Sequence, residues 1–218
     1  MTPGNKNEPY PHAEEKLNVA THSIGLVLSV AATVAMVMRA ESAAGPLRAL
    51  IVGVFGASLI LAYTSSTLYH GSKNPARRKR LRVLDHIAIY ALIAGSYTPF
   101  TLVTLEGPDG WTIFAICWAC AIAGTIMKLF FTGRFHALST ALYVAMGWII
   151  VFDIEKLYRN LTPQGFAWLF AGGICYTLGA LAYSAEKIKF NHAIFHFLTL
   201  AGSACHVVSV MFYVIPMA

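Results

Sequence analysis

The stretch NHAIFHF, residues 191–197, carries His192 and His196 four positions apart at the start of a long apolar run. On a helix this spacing puts both imidazoles on one face, one turn from each other. Two neutral imidazoles so placed can present nitrogens to one divalent metal. A third from another helix would complete a set whose fourth position is open to water. His70, at the end of SSTLYH, is the candidate third imidazole, and Ser66 stands one turn before it. Asp85, in RVLDHIAIY, offers a carboxylate that could hold a water at the metal, accept from a ligand imidazole or act as a general base. Zn²⁺ suits such a set and lowers the pKa of a coordinated water toward ~7. The chemistry on offer is therefore hydrolysis, with Ser66 able to donate to a substrate carbonyl.

Each residue also has a plainer reading. His192 and His196 could be interfacial histidines bonded to loop carbonyls. Asp85 could be an acidic cap at a helix start. Ser66 could be a small residue for close helix packing, or bond back to its own helix. His22, His86 and His206 read as packing or pocket-lining residues. His86 is about 100° around the helix from Asp85, so the two do not easily face one ion. His206 shares the face of His192 but lies about 21 Å deeper, too far to share a metal. Ionisable groups inside a membrane are expensive and are functional candidates for that reason. Several at one depth strengthen the metal reading.

These residues need elements that bring them to one level. Of the 218 residues 57% are hydrophobic and only 12% charged, against about a quarter charged in soluble domains. That excludes a soluble globular protein and predicts a membrane one. Seven apolar runs, at about 18–39, 46–70, 83–104, 111–131, 136–152, 166–184 and 192–215, each approach the ~20 residues that cross a bilayer as helix. A membrane strand would need only about ten, with alternating polarity. The predicted fold is an all-α, seven-transmembrane helix bundle over 17–218, preceded by a polar tail over 1–16. Segments such as ESAAGP, GSKNPARRKRLR, EGPDG, TGRF and AEKIKF break the runs. The first run is too long for a signal peptide.

With the N-terminus placed in the cytoplasm, 12 of the 16 Lys and Arg fall in inside segments and 4 outside. The positive-inside rule therefore predicts a cytoplasmic N-terminus and an outside C-terminus, opposite to a rhodopsin-like receptor. His22, Ser66, His70, Asp85, His192 and His196 then gather near the cytoplasmic face. The net charge of +6 is explained by RRKRLR and its neighbours. That run reads as a topology determinant beside anionic headgroups, not as a nucleic-acid site. Cys117 and Cys120 of CWAC, with Cys175 and Cys205, read as small apolar filler.

SSTLYH, DHIAIYALIAGSYTPF, AMGW, NHAIFH and GSACH, in that order, resemble the haemolysin III branch of the progestin and adipoQ receptor superfamily. The similarity runs from EEKLNVATHSIG to the last helix. It implies seven helices, a cytoplasmic N-terminus and an intramembrane zinc near the cytoplasmic face. Carried across, His70 corresponds to the zinc histidine of the second helix, and His192 and His196 to the pair on the seventh. Asp85 corresponds to the aspartate thought to hold the water at the zinc, and Ser66 to the family's serine. Eukaryotic relatives look like ceramide hydrolases, and bacterial members are linked to membrane lipid homeostasis.

The expectation is a multi-pass protein of the cell inner membrane with Zn²⁺ as cofactor, acting in lipid homeostasis. Its partner would be a membrane lipid, as substrate or ligand, with no nucleic acid. The mechanism would be hydrolysis of a lipid amide or ester, catalysed with Asp85 and Ser66. The acyl chain would lie in a pocket lined by His22, Tyr97 and His206. A non-catalytic lipid sensor with structural zinc is the alternative, and a lytic protein a third.

Overall fold

The computed structural model describes residues 10–132, 136–185 and 187–217. Residues 1–9 of the polar tail and the breaks at 133–135 and 186 lie outside them. In lipid the backbone has no water to bond, so an apolar chain must satisfy its amides internally. The described residues form helices and contain no strand. In chain order these are α1 (His12–Ala44), α2 (Pro46–Gly71), α3 (Pro75–Pro99), α4 (Gly107–Phe131), α5 (His136–Gly147), α6 (Ile154–Asn160), α7 (Pro163–Ser184) and α8 (Asn191–Ser209). Seven spans among the described residues are long and apolar enough to cross a membrane. The fifth combines α5, a 3₁₀ turn over Ile149–Asp153 and α6. The protein is a multi-pass membrane protein.

Turn chemistry sets the helix limits. Gly45, at φ +82°, reverses the chain between α1 and Pro46, the first residue of α2. The Asn74 side chain accepts from the Arg77 amide at 3.0 Å, with Pro75 next to it, so α3 starts well before the apolar run that begins near 83. Asp85 therefore sits about three turns inside α3 and does not cap it. α1 likewise begins at His12, which makes Glu14 and Glu15 helical. Pro99 has no amide hydrogen to donate, and α3 widens directly after it into a π-helix over Phe100–Leu105.

The central element is α3. Its most apolar stretch is 72% buried, against 39% or less for every other span. α2 and α4 pack on either side of it, α1 packs on α2 and α8, and α7 packs on α8. Neighbouring spans are antiparallel, so the start of α1, the end of α2, the start of α3, the end of α4 and the start of α8 share one end of the bundle. The outer face carries large apolar side chains, among them Val27, Leu50, Phe130 and Phe152. Lipid tails accept those at no cost. The Tyr97 hydroxyl donates to the Gly147 carbonyl at 2.8 Å and accepts from the Ile150 amide at 3.0 Å. It thereby satisfies the backbone where the fifth span breaks.

Candidate metal centre

His70 closes α2, and His192 and His196 open α8; all three are buried. The Nε2 of His192 lies 3.1 Å from that of His70 and 3.0 Å from that of His196. One nitrogen from each of the three lies within 4.8 Å of the others, and this set could hold a metal ion. A tetrahedral site with bonds of 2.0–2.1 Å separates its nitrogens by about 3.3–3.4 Å, within a few tenths of an ångström of the two Nε2 separations from His192. Cys117, Cys120, Cys175 and Cys205 are all free thiols and take no part in it.

The surroundings of the three imidazoles come largely from α1. The Nδ1–H of His70 donates to Glu15 Oε2 at 2.6 Å. With its proton on Nδ1, His70 turns an unprotonated Nε2 toward the cluster, the tautomer a metal ligand needs. The other oxygen of Glu15 pairs with Arg78 of α3. Arg78 also donates to the carbonyls of Tyr69 and His70, at 3.3 and 3.4 Å. It thus satisfies two carbonyls at the end of α2 and anchors Glu15 at once. Glu14, one position earlier, accepts from the amides of His192 and Ala193 at 3.1 and 3.4 Å. Phe190, the residue before α8, offers no side-chain cap, and Glu14 supplies one from 178 residues away.

Two rings close the set. Tyr10 stacks on His192 with centroids 4.3 Å apart, and His22 stacks on His196 at 3.6 Å. Burial raises the pKa of the Tyr10 phenol, which keeps that ring neutral beside the site.

A cavity of about 160 Å³ opens beside the imidazoles. His22, Ser66, Asp85, His192 and His196 line it, as do Tyr97 and, deeper, His206. Ser66 from α2 and Asp85 from α3 face this same cavity. Farther in, the Tyr63 hydroxyl donates to Ser203 Oγ at 2.7 Å, and Tyr176 meets the same oxygen at 2.8 Å. His206 donates from Nε2 to the Leu169 carbonyl at 3.2 Å. A second hollow of about 50 Å³ adjoins the first and shares Tyr97, Trp148 and His206 with it.

The structure thus brings His70, His192 and His196 together, and puts Ser66, Asp85, His22, Tyr97 and His206 on the wall of the neighbouring cavity. Sequence reasoning missed Tyr10, Glu14, Glu15 and Arg78. A signal for Glu15 existed in EEKLNVATH, where Glu15, Asn18 and His22 are spaced three and four apart and so share a helix face. Assigning residues 1–16 to a polar tail hid it.

Residues 10–207 match the sequence model of a family described as haemolysin-III related. The chain is 47% identical over 205 residues to Hemolysin-3 of Bacillus cereus, covering 94% of each. It is 42% identical over 200 residues to the Hemolysin-3 homolog of Bacillus subtilis, covering 92% of this chain and 94% of that one. A more distant similarity, 24% over 168 residues, links it to the human monocyte to macrophage differentiation factor, covering 73% and 68% of the two chains.

Proposed function

The chain belongs to the haemolysin-III-related family, and from that premise we propose that it is a zinc-dependent hydrolase of a lipid amide or ester, acting in membrane lipid homeostasis. The observation that carries the reading is the set of three convergent Nε2 atoms beside a lined cavity. A buried ligand set with no adjoining space would serve structure alone. Zinc bound there would polarise a carbonyl and activate a water. His70, His192 and His196 would hold the cation, and Glu15 fixes the His70 tautomer. Asp85 accepts the proton of the attacking water from its place on the cavity wall. Ser66, beside it, orients that water or donates to the substrate carbonyl. The apolar wall toward Tyr97 and His206 takes the acyl chain and excludes bulk water. The Lys and Arg distribution supports a cytoplasmic N-terminus, which puts the site under the inner headgroups.

The test is metal analysis and lipid turnover on purified wild type and His196→Ala. The variant is expected to lose both zinc and hydrolysis. Turnover that persists without metal would sink the mechanism. Zinc retained in a wild type that hydrolyses no lipid amide or ester would leave the cation a structural brace in a lipid sensor. The lytic activity in the name of the Bacillus cereus relative is tested separately, by dye release from liposomes.

A further inference from the structure

Lys128, in the last turn of α4, lines the same cavity as Asp85 and His196, yet only 2% of it is exposed. Its ammonium donates to Ser139 Oγ at 2.6 Å and lies 6.0 Å from the centre of the Tyr143 ring. Among the described residues no carboxylate reaches ion-pair distance of it. An ammonium withdrawn from water needs an anion, or it is very costly to keep charged. The end of α4 and the Tyr143 face offset part of that cost, but neither carries a full negative charge. An ammonium has three hydrogens to donate, and Ser139 takes one.

Apolar side chains also line this cavity, Ile89, Leu92, Val144 and Phe195 among them. A small hydrophilic anion would gain nothing from that surface. We propose that the cavity binds an anionic amphiphile, with its phosphate or carboxylate on Lys128 and Ser139 and its hydrocarbon chain against Ile89, Leu92 and Phe195. Lys128 sits at the end of the bundle that also holds the three imidazoles. A ligand anchored on it therefore extends its chain through the space beside Asp85. The inference rests on the hydrolase reading only for what becomes of the ligand afterwards, because binding is measured here without turnover.

The experiment compares dodecyl phosphate, dodecanoate, dodecanol and inorganic phosphate as ligands of the full-length protein in a neutral detergent, by calorimetry. Lys128→Met and Lys128→Arg are measured beside the wild type, with metal content determined on each sample. Dodecyl phosphate and dodecanoate are expected to bind wild type about tenfold or more tighter than dodecanol, the range of a charge-assisted bond. Lys128→Met should lose that preference while keeping its metal and its affinity for dodecanol, and Lys128→Arg should retain most of it. Equal binding of dodecanol and dodecyl phosphate by wild type would overturn the proposal, as would an unchanged preference in Lys128→Met. Inorganic phosphate that competes as well as dodecyl phosphate would overturn it too, by showing a free-anion site. Because metal content reports the three imidazoles separately, failure here is distinguishable from failure of the hydrolase reading.

Discussion

Glu15 Oε2 lies 2.6 Å from Nδ1 of His70, joining the first helix to the imidazole that closes the second. The bond fixes which nitrogen of His70 faces the other two histidines. Carboxylates in this position hold a ligand ring in place and raise its basicity, and their loss typically weakens metal affinity 10- to 100-fold. Glu15→Gln keeps an oxygen acceptor but removes the charge that also holds Arg78. Zinc affinity is expected to fall by about one order of magnitude in this variant and further in Glu15→Ala, read by competition with a chelator of known affinity. Wild-type affinity in both variants would show that His70 needs no outside partner.

Asp85 separates a metal-holding role from a proton-accepting one. It lines the cavity beside Ser66 and is absent from the group of three convergent ligands. Asp85→Asn is therefore expected to keep its zinc while lipid hydrolysis falls by about 10²-fold or more, the usual weight of a positioned general base. Metal analysis and turnover on one preparation check both halves. Loss of zinc in Asp85→Asn would make the carboxylate a ligand and refute the assignment.

The histidine set could be read from sequence because two periodicities coincide there. Run length sets membrane depth, and the spacing of four between His192 and His196 sets the face. Together they placed residues 70, 192 and 196 at one level without coordinates. The partners of that set escaped the same reasoning for a physical reason. Glu14 and Glu15 belong to a helix that extends beyond the apolar run, and hydropathy cannot show where a polar helix begins. Arg78 sits in a basic run whose total charge explains membrane orientation, so charge counting hides the one member that bonds to Glu15 and to the Tyr69 and His70 carbonyls. Asp85 looked like a helix start because the apolar run begins near it, whereas Asn74 and Pro75 start the helix earlier.

Glu14 gives a prediction about stability instead of metal. It accepts from the amides of both His192 and Ala193, and α8 has no side-chain cap of its own. Removing a helix cap costs about 0.5–2 kcal/mol. Glu14→Ala is expected to lower the midpoint of thermal unfolding by several degrees, at roughly 2–4 °C per kcal/mol for a chain of this size. Hydrogen exchange at the amides of residues 192 and 193 should quicken in the same variant, and Glu14→Gln should restore most of the protection. Unchanged exchange at those two amides would show that α8 starts without help from α1.

The contact between Gly172 of α7 and His206 of α8 yields a prediction with a built-in control. A Cβ placed on Gly172 would run into the His206 ring and come within 3.1 Å of the Gly202 carbonyl oxygen. Gly172→Ala must therefore push the two helices apart or turn the imidazole out of its bond to Leu169. Overpacking of this kind costs about 1–3 kcal/mol. In a His206→Ala background the ring is gone and only the Gly202 carbonyl resists, so the same glycine substitution should cost less. The four proteins of this cycle, compared by denaturant or thermal unfolding in one detergent, should show a favourable coupling of about 0.5–3 kcal/mol between the two changes. Strict additivity would mean that the α7–α8 seam yields elsewhere, and that His206 is not what requires glycine at 172.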